Sequence, residues 1–255
     1  MNASPPLTQR LIAHRGYSQC YPENTLVALR EALRIGARYV EFDVQFSADR
    51  VPMVFHDERL KRVAGVRGRI FDYTAAQLKH MSAGEPKRFA EKFRDEPIPR
   101  LVEVLPLLEQ WSAATAFVEI KQETVTQFGV ESVARQMVDA LTAFQSNCIL
   151  ISFDASVLQA ARHAGMQRIG WVVSRWDTRN HRQAEQLAPD VLFCNYKKIP
   201  KRADLWPGDW RWALYDIVDP ALAVRWFSRG ADLLETWDIG TLLHDPRLQV
   251  ATQIE

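Results

Sequence analysis

Along the chain, short apolar runs alternate with longer stretches whose apolar residues recur every three or four positions. "RLIAH" (10–14) reads as a strand ending at a glycine turn. In "ENTLVALREALRIGA" (23–37), Leu26, Leu29 and Leu33 fall on one helical face; Asn24 or Thr25 can cap the start and Gly36 the end. "YVEFDV" (39–44) is a second strand, and "VPMVFH" (51–56) a further extended run behind the short connection "SADR". A link that short makes a hairpin, which parallel neighbours cannot form. Residues 51–56 are therefore an appendage of the second strand. "IPRLVEVLPLLEQW" (98–111) is helical in pattern, and six more strands follow: "AFVEIK" (116–121), "CILISF" (148–153), "RIGWVV" (168–173), "DVLFCN" (190–195), "WALYDI" (212–217) and "ADLLET" (231–236). Helical segments such as 129–144, 154–165 and 220–230 separate most of them.

Without the hairpin arm, eight strands alternate with helices, a pattern that predicts a parallel sheet. Eight such units in 255 residues fit an α/β fold of the (β/α)8 TIM-barrel type better than an open doubly wound sheet. No GxGxxG or P-loop supports a nucleotide fold. Residues 58–99 break the alternation: they are charged, with "GEPKRFAEKFRDEP" (84–97) the most polar part. They read as a solvated excursion or a small inserted subdomain outside the core, after the second-strand hairpin and within a single domain spanning 1–255.

Composition narrows the picture. At 47% hydrophobic residues the chain can bury a sizeable core. Lys and Arg (32) balance Asp and Glu (31), so net charge marks neither nucleic acid nor an anionic membrane as a partner. No apolar run approaches the roughly 18 residues of a membrane span, and "MNASPPLTQRLIAHRG" lacks the basic and apolar regions of a secretory signal. Cys20, Cys148 and Cys194 are far apart and odd in number, with neither metal spacing nor a disulfide framework. Together these predict a cytoplasmic protein without stable membrane insertion. The pattern specifies no oligomeric state.

The candidate chemistry lies at strand ends, where barrel enzymes carry their active sites. His14 and Arg15 end the first strand. Glu41 and Asp43 share one face of the second, because successive side chains alternate. His56 ends the hairpin arm, and Glu119 and Lys121 share a face near the end of the next strand. Three converging carboxylates need neutralising charge. They are either hard oxygen ligands for Mg²⁺ or Ca²⁺ or part of a structural charge network, with Glu119–Lys121 a plain ion pair. Two histidines can supply one base and one acid, and Arg15 offers a planar fork for phosphate. His80, His163, His181 and His244 read as structural. A metal, an acid–base pair and an anion receptor together describe phosphoester cleavage.

These residues resemble a known family. "AHRGYSQCYPENT" is similar to the HRG…PENT opening of glycerophosphodiester phosphodiesterases, and "VEFDVQFSADRVPMVFHD" to their E-x-D…D-x-x-P-x-x-x-H-D block; "VEIK" and "SFD" (Ser152–Asp154) also correspond. The resemblance runs from about residue 10 to 245. It implies a TIM barrel with an insert after the H-D motif, and a divalent metal, Mg²⁺ or Ca²⁺, on Glu41, Asp43 and Glu119. It implies His14 and His56 as the catalytic pair, Arg15 contacting phosphate and Lys121 assisting. The implied reaction releases glycerol 3-phosphate and an alcohol from a small-molecule glycerophosphodiester. Three departures stand out: Arg50 in place of a turn glycine, Asp216 and Val218 in place of Thr and Asn, and Trp237 in place of Asp. The first predicts another turn geometry, since Gly tolerates positive φ. The others bear on alcohol selectivity, with Tyr215 and Trp237 as pocket candidates. The tryptophans of "WPGDWRWALY" (206–215) read as packing rather than a choline pocket. Two alternatives remain at this level: a lysophospholipase D-like activity on lipid phosphodiesters, and a binding barrel that has lost catalysis.

Overall fold

The strands are β1 (Leu11–His14), β2 (Tyr39–Phe46), β3 (Pro52–Val54), β4 (Thr115–Ile120), β5 (Cys148–Ser152), β6 (Ile169–Val173), β7 (Val191–Asn195), β8 (Arg211–Tyr215) and β9 (Leu233–Thr236). In this computed structural model, which describes residues 6–249, they run in the order β1-β9-β8-β7-β6-β5-β4-β2, and β1 pairs with β2 to close the ring. Eight parallel strands with helices between them form a (β/α)8 barrel. β3 pairs antiparallel with β2 outside the ring, as the short connection requires. Both ends of the 1–255 range, including the first five residues read for a leader, lie outside the described residues.

Side-chain parity sorts the core. Ile12, Phe117, Ile149, Ile151, Val172, Val191, Phe193, Ala213 and Leu233 form one cluster inside the barrel, with Phe117 and Phe193 edge to face at 5.0 Å. Their strand neighbours, such as Leu11, Ala13, Val118 and Leu150, point outward into a larger cluster shared with the helices. This double burial is why the strands read as nearly continuous apolar runs.

The first helix, Leu26–Arg34, buries Ala28, Leu29, Ala32 and Leu33. Thr25 caps it, its hydroxyl accepting from Ala28 N–H at 3.3 Å. This helix explains the glycine of "HRG": Gly16 has φ +79°, and a Cβ there would lie 2.5 Å from the Ala28 carbonyl carbon. The pattern over 98–111 resolves into two short helices, Leu101–Val104 and Pro106–Gln110. Pro106 lacks an amide hydrogen and interrupts the ladder. Between the hairpin and these helices, Leu60, Val63, Ile70, Phe71, Ala75, Leu78 and Ala83 pack with Met53 and Phe55 of the hairpin arm as a separate cluster. No helix among the described residues is long and apolar enough to cross a membrane.

The turn after β2 departs from expectation. Arg50 itself adopts φ 61°, so the left-handed geometry persists without glycine. That conformation costs a non-glycine residue about 1–2 kcal/mol. Here Arg50 donates to Ser132 Oγ at 3.1 Å and lies over the Phe128 ring at 5.4 Å, contacts glycine could not make.

Candidate active site

One step above the apolar interior cluster, the inward positions become charged. Parallel register sets His14 opposite Glu41 and Asp43 opposite Glu119. Glu235 on β9 joins the same layer. Ligand atoms of Glu41, Asp43 and Glu119 lie within 4.8 Å of one another, as do those of His14, Glu41 and Glu235. The three carboxylates are nearly inaccessible, with Glu41 at 2%, Asp43 at 1% and Glu119 at 9% exposure.

Burial opposes ionisation of Asp43, but Lys121 and Arg15 outweigh it and hold its carboxyl well below the usual range. Lys121 Nζ lies 3.2 Å from Oδ1 and Arg15 Nε 3.1 Å from Oδ2. Asn24 completes the cradle: its Nδ2 donates to Asp43 Oδ2 at 2.8 Å, and its Oδ1 accepts from the Asp43 N–H at 3.0 Å. Glu41 fares differently. Burial and then the Asp43 charge push its carboxyl well up, and its buried Oε1 has no hydrogen-bond partner among the described residues. Glu119 is also pushed up by burial, although Lys121 donates to it at 2.6 Å. Burial likewise raises Glu235, to about 8, and its Oε1 is unpartnered among the described residues. The donor set is all-oxygen, buried and short of positive charge, a deficit that a hard divalent cation fits. Lys121 makes up part of that deficit.

The two histidines sit on different sides of the carboxylates. His14 Nε2 is 3.8 Å from Glu41 Oε2, and Nδ1 is 2.8 Å from Asp216 Oδ1. Burial alone would lower its pKa, but Glu235, Asp216 and Glu41 raise it to about 10. His56, just beyond β3, has Nδ1 2.6 Å from Asp57 Oδ1. Gln45 Nε2 donates to the His56 carbonyl at 3.1 Å. His56 lies near enough to Asp43 and Glu119 to favour ionisation of both. Asp57 accepts from Arg62 at 2.7 and 2.8 Å, and Arg62 reaches Glu23 at 2.6 and 2.8 Å. Glu23 in turn accepts from Arg15 Nη1 at 2.9 Å, and its own N–H donates to Glu85 Oε2 at 2.8 Å. A continuous charge network thus runs from β1 into the segment after the hairpin.

Residues 14–205 match the glycerophosphoryl diester phosphodiesterase family. The chain belongs to this family. It is 36% identical over 130 residues to a glycerophosphodiester phosphodiesterase of Bacillus altitudinis, covering 51% of this chain and 52% of that one. It is 26% identical over 244 residues to human glycerophosphodiester phosphodiesterase 1, covering 90% and 71%. The chain thus spans about half the length of the Bacillus relative. A phosphodiesterase from Oleispira antarctica, solved with its product sn-glycerol-3-phosphate, superposes with a TM-score of 0.79 at 25% identity, covering 91% of this chain and 94% of that one.

Within this phosphodiesterase fold, a cavity of about 360 Å³ opens above the charged layer, lined by His14, Arg15, Ser18, Gln19, Glu23, Arg88, Asp216 and Trp237. A larger groove of about 640 Å³, around Tyr196, Ile199 and Trp226, has no histidine or carboxylate in its lining. Chemistry rather than size locates the site. Tyr215 is half-buried at the edge of the interior cluster, and Trp237 stands 38% exposed at the rim. Lys121 is committed to Asp43 and Glu119 instead of the open mouth. Ser152 and Asp154 serve the scaffold: Ser152 Oγ donates to the Ile120 carbonyl at 2.8 Å, and Asp154 caps the helix Ala155–His163. Trp210 and Trp212 are buried, and Trp206 stacks on Trp176 at 4.2 Å, which is packing.

Sequence reasoning passed over Asn24, Glu23 and Glu235. Asn24 was a candidate cap, but Thr25 takes that role and frees Asn24 for Asp43. Glu235 carried the same signal as Glu119, a carboxylate on an inward position near the end of an apolar strand.

Proposed function

We propose that this protein is a metal-dependent glycerophosphodiester phosphodiesterase, releasing glycerol 3-phosphate and an alcohol from small deacylated glycerophosphodiesters. One observation carries the reading: two half-buried histidines flank a buried, charge-deficient carboxylate cluster from different sides. Family membership and the sn-glycerol-3-phosphate bound to the Oleispira relative support it. Glu41, Asp43 and Glu119 would hold Mg²⁺ or Ca²⁺, which when bound offsets negative charge developing on the phosphoryl group. Arg15 anchors phosphate, with Lys121 holding the carboxylates in place beside it. One histidine takes the proton from the glycerol 2-hydroxyl as that oxygen attacks phosphorus, and the other protonates the departing alkoxide. Water then opens the cyclic phosphate with the roles reversed. Tyr215 and Trp237 border the alcohol side. The modest, polar-lined cavity favours head groups without an acyl chain over lyso-lipids.

We read 1–255 as one phosphodiesterase domain with 58–99 as its insert, acting in the cytoplasm and not on nucleic acid. Incubation with glycerophosphocholine and Mg²⁺ or Ca²⁺ should yield glycerol 3-phosphate, and EDTA should stop it. No product with either metal would sink the reading. Faster turnover of lysophosphatidylcholine than of glycerophosphocholine would replace it with the lipid-directed activity.

A further inference from the structure

We propose that Asp216 is a positioning residue for His14, holding a proton on Nδ1 so that Nε2 faces the reaction. The inference rests on the reading of His14 as an acid–base group.

Asp216 follows the last residue of β8, and the next residue, Ile217, donates its N–H to the Glu235 carbonyl at 3.0 Å. That bond ties the β8 end to β9, which itself neighbours β1, and so sets Asp216 beside His14. Asp216 Oδ1 is buried and lies 2.8 Å from His14 Nδ1, a close charge contact that falls short of a well-aligned hydrogen bond, and nothing else among the described residues partners it. The opposite ring nitrogen faces the carboxylate layer, 3.8 Å from Glu41 Oε2. A proton on Nδ1 faces Asp216 in both charge states of the ring and needs only a small rotation to be shared with it. Nε2 is then the nitrogen that accepts or donates the reacting proton. Without the carboxylate, the neutral ring can take the other tautomer, whose protonated Nε2 cannot act as a base.

The same device serves His56, whose Nδ1 is 2.6 Å from Asp57 Oδ1. Each histidine is thus backed by one carboxylate, from β8 on one side and from the hairpin arm on the other. Asp57 belongs to the H-D motif, whereas Asp216 stands where the family resemblance leads one to expect threonine. A threonine hydroxyl can accept a hydrogen bond but carries no charge to stabilise an imidazolium during proton transfer.

The test uses the full-length, metal-loaded protein with glycerophosphocholine. Asp216→Ala should lower kcat by about 10–100-fold, the range typical of a lost orienting partner, with KM within about two-fold. Asp216→Asn keeps an acceptor without the charge and should fall between wild type and Asp216→Ala. In ¹⁵N-labelled protein, wild-type His14 should show a downfield proton on Nδ1 that Asp216→Ala loses. Wild-type kcat in Asp216→Ala overturns the proposal. So does a rise in KM alone, or a lower kcat with the Nδ1 proton unchanged. If Asp216→Ala fails to fold, Asp216→Asn decides on the same readouts. His14→Ala separates the two levels: if it keeps wild-type turnover, the catalytic reading of His14 fails and this inference with it. If His14→Ala is inactive while Asp216→Ala is unaffected, only this inference fails.

Discussion

On β1, β4 and β9, a single two-residue step carries the chain from Ile12 to His14, from Phe117 to Glu119 and from Leu233 to Glu235. Both layers of the barrel interior are almost equally hidden from water, yet they do opposite work. In the lower layer, apolar side chains pack on one another, and burying Phe117 alone is worth about 1.5–3 kcal/mol. In the upper layer, burial is unfavourable. Glu41 and Glu235 each keep an oxygen without a partner, and their carboxyls are driven toward the neutral form. Depth therefore does not distinguish core from site. Satisfaction of the buried polar atoms does, and an unsatisfied layer resting on a rigid apolar one is prepared for a ligand.

The sharpest break between the layers is activity without loss of structure. His14→Ala or His56→Ala should each reduce turnover by about 10²–10⁴-fold while the protein still folds, as read by its circular dichroism. Wild-type rates in either variant would remove that histidine from the mechanism. The reverse change is Phe117→Ala, expected to destabilise by about 3–5 kcal/mol in urea unfolding. A loss well under 1 kcal/mol would show that the lower layer collapses around the gap.

A metal should stabilise the upper layer specifically. At a hundred times its dissociation constant, Mg²⁺ or Ca²⁺ should add about 2.7 kcal/mol to the folded state, seen as a thermal shift that EDTA reverses. Glu41→Gln should abolish this shift and, in EDTA, be at least as stable as wild type, because it removes a carboxyl whose ionisation is opposed by burial and by the Asp43 charge. A wild-type midpoint indifferent to both ions would count against the cation site.

The smallest effect concerns the network at the rim. Burial opposes ionisation of Asp57 and Glu23, but their bonds to Arg62, with His56 and Arg15 beside them, hold both below the usual carboxylate range. A folded-state pKa below the unfolded one contributes stability above about pH 4, lost as pH falls through the folded value. Arg62→Ala should therefore destabilise by about 1 kcal/mol at pH 7, a modest figure because Arg62 is partly exposed and screened. The difference from wild type should shrink as pH falls from about 5 toward 2. A constant difference across that range would show that Arg62 acts through packing instead.

Much of this was legible in the sequence. The alternation in "YVEFDV" placed Glu41 and Asp43 on one inward face, and the short "SADR" link returned His56 toward the same end. Strand parity marks Glu235 as inward-facing in the same way as Glu119. Other features were hidden. Nothing local marks Asn24 as the partner of Asp43, because either Asn24 or Thr25 could have capped the helix. Arg50 holds a conformation that its residue type disfavours, through Ser132 and Phe128, which are distant in sequence.

By itself, the sequence determined which residues form strands and which way each side chain faces, since both follow from periodicity within a few residues. It also determined the chemical kinds available at the strand ends. Only the tertiary structure decided which of those side chains meet. Closure of the ring through β1 and β2 brings β9 beside His14 and sets Asp216 against its Nδ1. The same packing commits Lys121 to two carboxylates. Parity belongs to a single strand, whereas neighbours in a closed sheet depend on register and long-range packing, and the satisfaction of a buried charge depends on those neighbours.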